Sequence, residues 1–177
     1  MPRWLSEGIS VYEERRADPR WGERLNPKYR EFIVDGKMKP IDDLSAAFMA
    51  PPSGLFLQFA YFQSSLVVEF LIEKFGMEKM QAILTDLGKG TPINDALVAN
   101  TTDMKTLQSD FEAFAKGVAE TLGTASLWEK PKRGPDGSVE QSWAALHPDN
   151  FWAVSEKAGD LLAAPPTIDK ATLVAIK

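Results

Sequence analysis

Leu55-Phe56-Leu57-Gln58-Phe59-Ala60-Tyr61-Phe62-Gln63-Ser64-Ser65-Leu66-Val67-Val68-Glu69-Phe70-Leu71-Ile72-Glu73-Lys74-Phe75, followed by Gly76, is the longest uninterrupted apolar pattern in the chain. Phe59, Phe62, Leu66 and Phe70 recur at steps of three and four, the spacing of one helix face, and Gly76 is a stop signal. The polar load of Gln58, Gln63, Ser64, Ser65, Glu69, Glu73 and Lys74 is too heavy for a helix facing lipid. The stretch therefore predicts a buried central helix, and no membrane span is expected.

Working outward from it, helical spacing dominates on both sides. Met77, Met80, Ile83, Leu84 and Leu87 carry it on to Gly88, and Pro92 opens a shorter helix through Ile93, Ala96 and Leu97. Asp103 to Leu122 predicts another, with Leu107, Phe111, Phe114 and Val118 in step and Thr101 or Thr102 as its cap. On the amino side, the connector Lys37 to Gly54 holds Pro40, Pro51 and Pro52 around a small helical turn at Leu44 to Phe48. Tyr29, Phe32 and Ile33 predict a short helix closed by Gly36, and Asp18-Pro19, Trp21-Gly22 and Asn26-Pro27 mark turns before it. Residues 3–15 place Trp4, Leu5, Ile9 and Tyr12 at helical spacings and end in Arg15-Arg16 at the helix's negative pole. Almost nothing alternates with period two, so the fold class is all-α.

The 177 residues, 44% of them hydrophobic, can build a real core. Charge works against nucleic acid as a partner: 20 Lys and Arg face 25 Asp and Glu, a net of −5 with no basic stripe for a phosphate backbone. With no cysteine, disulfides, thiolate nucleophiles and thiolate metal sites are excluded, and cytosol and periplasm both remain open. No leader pattern occupies residues 1–20, and Met1-Pro2-Arg3-Trp4-Leu5 enters an amphipathic pattern at once, which reads as the cut edge of a longer protein. Lys130-Pro131-Lys132-Arg133-Gly134-Pro135-Asp136-Gly137 predicts an exposed linker within residues 123–138, dividing a helical unit, 1–122, from a helical tail, 139–177. In that tail His147-Pro148-Asp149-Asn150 leads into a helix from Phe151 to Ala164, ended by Pro165-Pro166, and Thr167 to Lys177 starts another. This pair resembles the opening of a tetratricopeptide-like array, although stacking of such repeats usually needs about three.

Most of the functional signal lies in Pro2-Arg3-Trp4-Leu5-Ser6-Glu7-Gly8-Ile9-Ser10-Val11-Tyr12-Glu13-Glu14. Glu7 sits in an otherwise apolar face between Leu5 and Gly8, where a bare carboxylate costs several kcal/mol unless paired or metal-bound. Gly8 permits the close approach of another backbone. Ser6 and Ser10 lack a His partner for activation, and Gly88 and Gly90 lack a phosphate-loop continuation, reading as a helix stop and a turn. Glu13, Glu14, Asp42 and Asp43 read as solvated acids, and Trp4 and Trp21 as core or groove aromatics. On spacing alone, Tyr61 reads as a core aromatic at the start of the long helix.

Trp4-Leu5-Ser6-Glu7-Gly8, followed by Tyr12 and Glu13, resembles the W-L-x-E-G-x-x-x-Y-x-E block of gluzincin metallopeptidases, among them the aminopeptidase N relatives and the bacterial peptidase MA-like group. Ala60 to Gly76, with Tyr61, a Gln63-Ser64 pair and a Phe75-Gly76 ending, is similar to a second peptidase MA-like pattern, and the resemblance covers about residues 2–120. The resemblance implies the helical carboxyl-terminal subdomain of a thermolysin-like metallopeptidase. It implies that Glu7 is a zinc ligand and Tyr61 the catalytic phenol that hydrogen-bonds the oxyanion as a peptide carbonyl becomes tetrahedral.

The family's H-E-x-x-H helix is missing and His147 is the only histidine, so this sequence assembles no complete zinc site and is expected to hold no zinc and cleave nothing alone. His147 reads as a surface residue or one at the start of a helix. The expectation is thus a fragment of a zinc-dependent peptidase acting on a peptide or protein, from a parent that suits the periplasm or secretion. Its rival is a non-catalytic helical module that binds another protein. Loss of the missing half is expected to bare apolar surface at Trp4 and Ile9 and to drive dimerisation there.

Overall fold

The computed structural model describes residues 1–124, 126–140 and 143–163, and the chain divides into two compact units, Met1–Leu122 and Gly123–Lys177. Among the described residues there are nine α-helices, one 3-10 turn and no strand, so the fold is all-α. In the first unit these are α1 (Arg3–Ala17), α2 (Pro27–Val34), the 3-10 turn Ile41–Asp43, α3 (Ala46–Met49), α4 (Gly54–Phe75), α5 (Met77–Gly88), α6 (Ile93–Asn100) and α7 (Met104–Glu120).

The centre is α4. It is long and apolar enough to cross a membrane by length and composition, but 61% of that stretch is buried inside the protein, as in the core helix of a folded domain. Phe59, Phe62, Leu66, Val67, Val68, Phe70 and Leu71 are each at most 3% exposed, and burial of such side chains is worth about 1.5–3 kcal/mol apiece. Ser53 starts the helix by accepting a hydrogen bond from the Phe56 amide. Gly76, at φ 88° and ψ 159°, ends α4 and in the same residue begins α5. This conformation favours glycine.

Aromatic rings dock the neighbouring helices. Tyr29 of α2 stacks on Phe62 at 5.1 Å, and Phe32 stacks on Phe56 at 4.6 Å while meeting Phe59 edge-on. On the α7 side, Phe70 packs against Phe111 and Phe114 at 5.7 and 5.5 Å. Asn26 caps α2 by accepting from the Lys28 and Tyr29 amides, with Pro27 in the first turn. Asp103, rather than either threonine, caps α7 by accepting from the Thr106 amide at 3.0 Å. The Thr106 hydrogen bonds hold its carboxyl below the usual carboxylate range.

The connector before α4 forms two short turns instead of the one expected at Leu44 to Phe48. Its backbone is tied down by helix side chains: Gln63 Oε1 accepts from the Lys39 amide at 3.0 Å, Gln63 Nε2 donates to the Lys39 carbonyl, and Gln108 Oε1 accepts from the Ile41 amide at 2.9 Å. Gln63 is 1% exposed, so its amide is buried and satisfied.

In the second unit, α8 (Trp143–Leu146) and α9 (Phe151–Ala163) follow a non-helical segment that pairs with the start of α9. Leu127 exchanges hydrogen bonds with Asp149 and Phe151, Asn150 donates to the Glu129 carbonyl, and Trp128 stacks on Phe151 at 4.4 Å. The expected Pro165-Pro166 stop and the helix from Thr167 lie outside the described residues.

Candidate functional site

On α1 the buried positions are Trp4, Leu5, Gly8 and Val11, one stripe facing α4. The crossing is tight at Gly8: a Cβ there would stand 2.6 Å from the Ser64 carbonyl oxygen and 2.8 Å from its carbon. Gly8 thus provides the close backbone approach expected of it. Trp4 is 1% exposed and belongs to the core, and Ile9 is partly buried against it. Trp4 thus presents no bare apolar surface, because α4 and its neighbours cover that stripe, and Ile9 stands beside the stripe, partly covered.

Glu7 lies at the edge of the stripe. Its side chain is 32% exposed, so the carboxylate keeps contact with water and escapes the full desolvation penalty expected for it. Arg3, one turn earlier, places Nε 3.5 Å from Glu7 Oε1, a long contact in a largely exposed pair worth at most about 1 kcal/mol. The same Arg3 guanidinium lies 5.6 Å from the centroid of Phe48, and the Phe48 ring meets Tyr61 edge-on at 5.1 Å and 88°. Glu7, Arg3, Phe48 and Tyr61 thus form one continuous run of contacts across α1, α3 and α4. It joins a carboxylate that can donate a hard oxygen ligand to a partly buried phenol that can donate a hydrogen bond.

A hydrolytic zinc site draws on about three protein ligands. Among the described residues no group of three His, Cys, Asp or Glu could hold a metal ion. The chain's one histidine, His147, stacks on Trp143 at 4.7 Å and sets Nδ1 2.7 Å from the Trp143 carbonyl oxygen. The donors present therefore do not by themselves fit a zinc ion.

The remaining sequence candidates have structural occupations. Ser6 and Ser10 hydroxyls donate to the Arg3 and Ser6 carbonyls of their own helix at 3.0 Å. Glu13 receives both its hydrogen bonds from Arg16, at 2.8 and 2.9 Å. Gly88 closes α5 and Gly90 turns with φ 92°. Trp21 is 57% exposed on the surface. Sequence reasoning missed Arg3 and Phe48. The four-residue step from Arg3 to Glu7 was the available signal for the first. Nothing local marks Phe48 as a neighbour of Tyr61.

A protein-family model described as the Peptidase MA superfamily matches residues 1–117, from the first residue to near the end of α7. No curated protein and no solved structure gives a match.

Proposed function

This chain belongs to the Peptidase MA superfamily, and from that premise we propose that its first unit is the helical carboxyl-terminal half of a peptide-hydrolysing site. Members of the superfamily are usually zinc-dependent. Glu7 offers one oxygen ligand of such a centre, and the imidazole ligands would have to come from residues outside this sequence. No hydrolytic step follows from these residues alone. Tyr61 would donate its O–H to the carbonyl oxygen of a bound peptide, a hydrogen bond that grows stronger with negative charge on that oxygen. Arg3 and Phe48 stand between the two: the guanidinium contacts the Glu7 carboxylate and the Phe48 ring, and that ring packs edge-on against Tyr61.

The observation that carries the reading is the run from Glu7 through Arg3 and Phe48 to Tyr61, inside the matched residues. It is tested by the metal content and kinetics of the natural gene product that contains this chain. Glu7→Gln is expected to lose bound zinc, whereas Tyr61→Phe keeps the zinc and lowers kcat by about 10²–10³ with little change in KM. Full zinc occupancy in Glu7→Gln, or a natural product that binds no zinc, refutes it. The isolated chain is expected to show no rise in melting temperature with added zinc.

A second reading, a non-catalytic module that binds another protein, is favoured by α9, where Val154, Leu161 and Leu162 are 53%, 70% and 88% exposed. It becomes the better account if the natural gene product binds no zinc.

A further inference from the structure

Between the connector and the first turns of α4 lies a pocket of 130 Å³. Phe56, Phe59 and Ala60 of α4 and Ala47 of α3 line it, and Lys37 and Lys39 stand among its lining residues. Gln63 also borders it, but both ends of its amide are engaged by the Lys39 backbone, so this side chain closes the wall without offering a free polar group. No Asp or Glu lines the pocket. Lys37 Nζ is 3.2 Å from Asp35, in a pair more than 40% exposed on each side, and 5.4 Å from the Phe32 ring centroid, whereas among the described residues no ion pair involves Lys39.

Two features hold the pocket open. The Gln63 clamp keeps the connector at a set distance from α4, and the Phe32–Phe56 stack, at 4.6 Å and 12°, fixes an aromatic wall. Collapse would require breaking one of them. The volume is below the roughly 300–1,000 Å³ of pockets for drug-sized molecules, but close to the apolar cavity of about 150 Å³ that takes up benzene. One phenyl ring or branched alkyl group is the occupant that fits, and Lys39, in a lining that holds no acidic residue, favours an anion beside it.

We propose that this pocket binds a single phenyl- or leucyl-sized group that carries a carboxylate, the chemistry shared by a small arylalkanoic or branched-alkanoic acid and by the C-terminal residue of a peptide. Nothing in the proposal requires zinc, Glu7 or Tyr61, so it stands or falls separately from the peptidase reading.

Calorimetric titration of the full chain with 3-phenylpropanoate and with 3-phenylpropanamide tests it. The acid is expected to bind about three- to tenfold more tightly than the amide, the range for a partly exposed charge contact. Lys37→Gln with Lys39→Gln, a change at exposed side chains only, is expected to bring the acid down to the affinity of the amide. Ala47→Leu, which fills the space, is expected to abolish binding of both, with circular dichroism confirming the fold. If Ala47→Leu does not fold, the lysine variant decides. Equal binding of acid and amide, binding of neither, or an acid preference that survives the lysine variant overturns the proposal. Gly-Gly-Phe and its C-terminal amide separate the two sources. Binding of the tripeptide acid at least as tightly as 3-phenylpropanoate assigns the site to peptide C-termini, and failure of the tripeptide where 3-phenylpropanoate binds assigns it to small acids.

Discussion

Replacing Gly8 with alanine sets two effects of opposite sign against each other. In a helix interior the change removes the entropic handicap of glycine and favours folding by about 1 kcal/mol. Here the new methyl carbon would stand 2.6 Å from the Ser64 carbonyl oxygen, and the obstructing atoms are backbone, which no rotamer change can move. Close C···O contacts begin at about 3.3 Å, so α1 and α4 must separate by about 0.7 Å. A gap of that size forfeits a quarter to a half of the dispersion well for atoms facing each other across the crossing. Overpacking of this kind costs about 1–3 kcal/mol, and the upper end applies where backbone is the obstacle. Subtracting the propensity gain leaves a net loss of about 2 kcal/mol. At about 2.1 cal/mol/K per residue, a unit the length of Met1–Leu122 then melts about 8 °C lower.

Gly117 is the internal control. It lies within α7, is exposed, and has nothing within 4 Å of where its Cβ would stand, so Gly117→Ala is expected to stabilise by about 0.5–1 kcal/mol. Urea and thermal unfolding followed by circular dichroism measure both. A Gly8→Ala variant as stable as the wild type, or one that gains stability as Gly117→Ala does, would refute the backbone-contact argument.

Two further outcomes follow from the α2 region. Tyr29, 1% exposed, donates to Glu23 Oε2 at 2.8 Å, and burial first and the Glu23 carboxylate second push its pKa up. Its contribution is complete below the ordinary phenol value of about 10 and is lost as pH climbs towards the raised folded value, at up to about 1.4 kcal/mol per pH unit. Alkaline urea titrations should therefore show a shallower decline for Tyr29→Phe, and parallel curves would contradict the assignment. Asn26→Ala removes the cap of α2 and is expected to cost about 1 kcal/mol in urea unfolding, with Asn26→Asp much nearer the wild type; equal losses in both would rule out capping as the cause.

The helices were readable wherever a face repeats over several turns. Leu55 to Phe75 announced α4 because its apolar residues recur through more than five turns, and the burial of Gln63, Ser64 and Ser65 follows from its place between α1, α2 and α7. The connector was read less well because its turns are set by partners far along the chain. Gln108, 67 residues away, holds the Ile41 amide, and no local pattern encodes that. At the start of α7, two threonines and an aspartate can all cap, and only the φ of −60° and ψ of 151° at Asp103 select among them. For the candidate site, the tight crossing at Gly8 was legible. The exposure of Glu7 was not, since it depends on how far the carboxylate reaches past the stripe, and Trp4 proved fully covered because α4 packs along the whole of α1.

The two glutamine side chains that hold the connector also bear on the order in which the chain can assemble. Lys39 and Ile41 find their donors and acceptors only after residues 24 and 67 positions downstream have been brought alongside them. Each such closure must overcome loop entropy before any bond rewards it. The backbone that walls the pocket therefore keeps its hydrogen-bond partners only while the helices bearing Gln63 and Gln108 stay docked beside it.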